Sequence, residues 1–211
     1  MTEQQQRIDE LVRQILGESY LHLRVDRIYL EDDLSTGRCS LRCELHHAAS
    51  GQPMIIAGEG VGFLDAFFHA VRDRLAVEYP SLDTLAILSF SLAADLSTRS
   101  KTFGADAVGE VRLDVRNSEG AVFSFGASSR SITASSAEAC LRACEFFVNS
   151  ERAYISIYRA LLDARSRRRA DLAERYVQQL GELVRSTSYT KVIEEIRREL
   201  EGPAKGGAAD D

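Results

Sequence analysis

Apolar positions recur along this chain in two periods, and the periods follow one another in a fixed order. Over residues 1–19, Ile8, Leu11, Val12, Ile15 and Leu16 fall at helical spacing, with Gly17 as a stop. The period then shortens to two. Leu21, Leu23 and Val25 alternate with His22, Arg24 and Asp26. After a turn at Glu31-Asp32-Asp33 and Gly37, Cys39, Leu41, Cys43 and Leu45 alternate with Ser40, Arg42, Glu44 and His46. A second turn, Ala49-Ser50-Gly51, precedes Met54-Ile55-Ile56-Ala57. Three strands joined by short turns predict an antiparallel meander. A glycine-rich loop, Gly58-Glu59-Gly60-Val61-Gly62, leads into a helix expected over Phe63 to Tyr79. Leu64, Phe67, Phe68, Val71 and Leu75 share one of its faces, and Pro80 ends it.

The order then repeats. Residues 85–90 read as a strand, Val111, Leu113 and Val115 mark a second, and Val122 to Gly126 a third. The loop Ala127-Ser128-Ser129-Arg130-Ser131 precedes a helix starting near Ile132, for which Ser135 and Glu138 have capping-box spacing. Gly51 and Gly120 mark equivalent turns, and the two copies are offset by about 66 to 69 residues. The pattern predicts an α+β fold of two βββα units related by pseudo-twofold symmetry, because one three-stranded sheet with one covered face is marginal by itself. Apolar stripes at helical period continue through Tyr158, Leu162, Leu172, Tyr176, Leu180 and Leu183, and a last one runs through Val192, Ile193, Ile196 and Leu200. The expected division is an N-terminal helix (1–19), the repeat domain (20–150), a C-terminal helical extension (151–200) and a disordered Gly/Ala/Pro-rich tail (201–211).

Composition narrows the function. A net charge of −6 argues against non-specific nucleic-acid binding. The basic run Arg165 to Arg169 has Asp163, Asp171 and Glu174 nearby to offset it. No apolar run approaches the roughly 18 residues of a membrane span, and the polar start is no secretory signal. Both point to a cytoplasmic protein. Cys39 and Cys43 lie in a predicted strand, about 13 Å apart, whereas thiolates sharing a zinc ion lie within about 4 Å of each other. All four cysteines therefore read as small buried apolar residues. The neighbours His46 and His47 point to opposite faces of a strand. No metal site and no cofactor are expected, and no catalytic motif is present.

Gly60-Val61-Gly62-Phe63-Leu64-Asp65-Ala66, followed by a helix, resembles the G-x-G-P-x-D-A element of the alpha-isopropylmalate synthase regulatory domain. Gly104-Ala105-Asp106-Ala107 and the segment Gly126 to Ser135 are similar to that family's counterparts in the second half. Phe63 stands where the family often has Pro, and Ser131 where many members have Asp. The resemblance implies a dimeric domain that binds an amino-acid effector, typically leucine or isoleucine, near the dimer interface. Carried over by position, the effector-binding residues are Gly60, Val61, Gly62, Leu64, Ala105, Ile132 and Thr133. Glycines admit a ligand close to the backbone, and helix N-termini receive a carboxylate. The family's catalytic barrel takes about 250 residues, and only 19 precede the repeat here. No catalytic residue is therefore expected. The expected role is regulatory, as a homodimer with a branched-chain amino acid or a separate synthase catalytic subunit as partner.

Overall fold

The computed structural model describes residues 2–94 and 108–187, together with Glu194 and Arg198. The element Gly104–Ala107, the last apolar stripe and the tail lie outside the described residues. An N-terminal helix, α1 (Glu3–Leu16), precedes β1 (Leu23–Asp33), β2 (Arg38–His47), β3 (Pro53–Gly60) and α2 (Phe63–Leu75). A 3₁₀ turn, Pro80–Thr84, leads to β4 (Ala86–Ala94), β5 (Gly109–Arg116), β6 (Val122–Ser129) and α3 (Ile132–Ser166). The last element described is α4 (Ala170–Thr187). There are two antiparallel sheets, ordered β1-β2-β3 and β4-β5-β6. This is the expected pair of βββα units. The likeness extends to an irregularity: each first strand shifts register near its start, between Val25 and Arg27 in β1 and between Ile87 and Ser89 in β4.

Each helix covers the second and third strands of its own sheet: α2 lies on β3 and β2, and α3 on β6 and β5. The inward side chains obey the period-two pattern. Cys39, Leu41, Cys43 and Leu45 on β2 are buried, as are Val111, Leu113 and Val115 on β5. All four cysteines are free and buried. In the second unit Phe123 and Phe125 of β6 meet Phe146 and Phe147 of α3, with ring centroids 5.2 to 6.3 Å apart. Each such pair contributes about 1 kcal/mol beyond the area it buries.

Two local expectations need correcting. The segment Gly58–Gly60 is the end of β3 rather than a loop. A side chain at Gly58 would lie 2.5 Å from the Ala66 carbonyl oxygen, and one at Gly60 would lie 2.5 Å from the Ala66 nitrogen. These glycines let α2 press its backbone onto the sheet. The helix also stops at Leu75, short of Tyr79. Pro80 disfavours helical geometry at the residue before it, and Tyr79 has φ −130° and ψ 81°.

α1 and α3 supply polar side chains to backbone that the sheets leave unpaired. Thr2 and Gln5 form a capping box at the start of α1. The buried Gln5 amide also accepts the Ser124 N–H and donates to the Ser124 carbonyl, both at 3.3 Å, which closes the edge of β6. On α3, Asn149 accepts the Leu21 N–H at 2.7 Å and donates to the Leu21 carbonyl at 2.8 Å. One turn earlier Glu145 accepts the Leu23 N–H at 2.6 Å and meets His22 Nδ1 at 3.2 Å. Burial pushes the Glu145 carboxyl up, and the hydrogen bond to Glu145 pushes His22 up. The pair thus holds its proton to higher pH than it does in the unfolded chain.

Gly58→Ala should lower the stability by about 2 kcal/mol in urea unfolding, because the added methyl overpacks α2 against β3. A proton bound more tightly in the folded state makes stability fall as pH rises. Melting temperature should therefore drop as pH climbs from 6.5, the ordinary imidazole value, through neutrality. Glu145→Gln should flatten that slope while preserving the bond from Leu23.

Candidate functional site

The two loop–helix junctions meet. Gly62 is the N-cap of α2 and Ser131 that of α3, and a cleft of about 480 Å³ opens between them. Val61, Gly62, Phe63, Leu64 and Asp65 line it from the first unit, and Ile132, Thr133 and Ser136 from the second, with Ile87 and Phe90 of β4 completing the wall. Of the residues expected from the sequence, Val61, Gly62, Leu64, Ile132 and Thr133 come together here. Gly60 does not line the cleft, because the start of α2 occupies the space above it. Ala105 lies outside the described residues, as does Asp106. Ile87 and Phe90 were not anticipated. The repeat was the available signal, since it makes β4 the equivalent of β1 rather than of the loop-bearing β3.

The cleft is apolar and its rim is exposed: Val61 is 86% exposed, Ile132 52% and Phe90 41%. Phe63, where the resembling family often has Pro, is half-buried with its ring 5.6 Å from that of Phe67. Gly62 sits at φ 136°, a conformation that suits glycine. It provides no side-chain cap for α2. Asp65 turns back instead, accepting the Val61 N–H at 3.0 Å and lying 3.5 Å from His69 Nε2. At this position its charge favours the helix N-terminus electrostatically. α3 differs: its cap is Ser131, whose hydroxyl accepts the Ala134 N–H at 3.2 Å. Ser135 is not the cap; its hydroxyl lies 2.8 Å from that of Ser129. Asp65 is the one charged side chain among the described lining residues. Among the described residues, an anionic group entering the cleft would meet first-turn amides of α2 beside the Asp65 carboxylate, and no cationic side chain. Among the described residues no cluster of three or more His, Cys, Asp or Glu could hold a metal ion. No helix among them is long and apolar enough to cross a membrane.

Residues 4–148 match the LeuA allosteric (dimerisation) domain. The chain belongs to that family. The match begins in α1 and ends inside α3, so the LeuA-type domain includes the helix that closes the β6 edge. Among curated proteins no match is found. The second half of α3 and all of α4 extend beyond the LeuA domain proper.

Ser131→Ala should cost about 1 kcal/mol in chemical denaturation through loss of the α3 cap. Ser136→Ala should cost less, because among the described residues the Ser136 hydroxyl bonds to the Ile132 carbonyl of its own helix.

Proposed function

We propose that this protein is a non-catalytic regulatory and dimerisation module of the 2-isopropylmalate synthase type, and that its cleft binds a branched-chain amino acid as effector. The observation that carries this is the convergence of Val61, Gly62 and Leu64 with Ile132 and Thr133 on one apolar cleft at two helix N-termini. A branched aliphatic side chain fits the apolar lining, and the uncapped first turn of α2 suits the ligand carboxylate. Removing such a side chain from water contributes about 2 kcal/mol. The partner this role calls for is the synthase catalytic unit whose feedback the domain would set.

Dimerisation is supported by what each unit leaves uncovered. α2 and α3 cover the second and third strands of their sheets and leave the first. Leu30 on β1 pairs across from buried Leu41, and Phe90 and Leu92 on β4 pair across from buried Leu113 and Val111. All three therefore face inward, yet Leu30 is 45% exposed and Leu92 47%. Inward-facing apolar residues without cover suit a second copy of the domain.

Analytical ultracentrifugation should give a dimer, and Leu30→Glu combined with Leu92→Glu should give a folded monomer. Leucine, isoleucine or valine at saturating concentration should raise the melting temperature by several degrees, and Val61→Asp should abolish the rise. The effector role fails if none of the twenty amino acids shifts the transition, and the interface fails if the wild type sediments as a monomer.

A further inference from the structure

A second cleft, of about 440 Å³, lies at the opposite end of α2, where Pro53, Met54 and Ile55 begin β3 and the chain leaves the helix at Arg74–Tyr79. It exists because α2 is short. α3 runs for 35 residues, past the end of its sheet, whereas α2 runs for 13 and leaves the corresponding end of the first sheet open.

The floor is apolar: Leu23 and Leu75 are buried and Met54 is half-buried. The rim carries hydrogen-bond donors and a carboxylate. His47 Nδ1 accepts the N–H groups of Ala49 at 3.2 Å and Ser50 at 3.3 Å. With Nδ1 accepting, the Nε2–H is the donor the ring has left to offer. The Tyr79 hydroxyl has no hydrogen-bond partner among the described residues. Arg74 is a further donor of the lining. Beside Arg74 stands the one carboxylate among the described lining residues, Glu78, just beyond the C-terminal, electronegative end of α2. Arg74 and Glu78 lie 3.8 Å apart and are both largely exposed, a weak pair that leaves most of their hydrogen-bonding capacity unused. An apolar floor under a few convergent polar groups is the usual form of a small-molecule site.

We propose that this cleft is a second binding site, separate from the one between the helix N-termini, for a small aliphatic molecule with a dipolar head, that is, an aliphatic amino acid. The aliphatic chain lies on Leu23, Met54 and Leu75. The carboxylate takes hydrogen bonds from Arg74, the Nε2–H of His47 and the Tyr79 hydroxyl, and the ammonium group faces Glu78. A plain carboxylate would face Glu78 and the helix C-terminus without compensation, and a plain amine would face Arg74.

The test is isothermal titration of norleucine into the full chain carrying Val61→Asp, which disables the first cleft alone. Norleucine should still bind, with backbone amide NMR shifts confined to residues 47–55 and 74–79. Arg74→Gln and Glu78→Gln, each in that background, should weaken it at least tenfold while circular dichroism and melting curves stay unchanged. Hexanoate and hexylamine should each bind at least tenfold more weakly than norleucine. Absence of binding to the Val61→Asp protein, undiminished binding to either second-cleft variant, or equal binding of hexanoate overturns the proposal. None of these results depends on whether the first cleft takes an effector.

Discussion

Leu21 gives its backbone N–H and C=O to a single side chain, Asn149, and Leu23 gives its N–H to the carboxylate one turn earlier, Glu145. Here the chain leaves α1 and starts the first sheet: Leu21 precedes the strand, and Leu23 opens β1, an edge strand paired only with β2. A buried amide left unpaired costs about 1–3 kcal/mol. The helix of the second unit meets that requirement for the first. This constraint sets the position of α3: two polar side chains, four residues apart, must lie opposite residues 21–23. The aromatic cluster of Phe123, Phe125, Phe146 and Phe147 then holds the neighbouring face of the same helix on β6.

The same helix carries further polar side chains into the interior. Glu151 is buried and accepts the Ser81 N–H at 3.3 Å, which fixes the 3₁₀ turn between the units. Burial pushes its carboxyl up, and Ser81 pulls it back only in part. α3 is thus tied to the start of the first unit, to the connection between the units and to its own sheet. The first unit has no helix with comparable duties. α2 relies on close approach instead, with glycines at 58 and 60 taking its backbone against β3.

Much of this architecture was legible in the sequence because it is periodic. Alternation placed β1, β2 and β5, helical spacing placed α1, α2 and α3, and the recurrence of the whole order placed the two units. Boundaries were less legible. Gly58 and Gly60 resemble loop residues, and only a helix packed above them explains why they are strand residues. Ser131 and Ser135 are both competent caps, and the choice rests on where the chain turns after β6. The cleft was readable in part: the residues at the two helix starts carry recognisable spacing, whereas Ile87 and Phe90 reach it through strand pairing. The bonds of Gln5 to Ser124 and of Asn149 to Leu21 join residues more than a hundred positions apart, and nothing local in the chain announces them.

The continuity of α3 has a mechanical consequence. From Ile132 to Ser166 the helix is unbroken, and at 1.5 Å per residue it spans about 52 Å. Its first turn forms a wall of the apolar cleft, and its last turns form the bed on which α4 lies. The hairpin of α3 and α4 is therefore a strut and not a tether. A tilt of the rod imposed at the cleft would be delivered, with lever-arm gain, to whatever surface the far end touches.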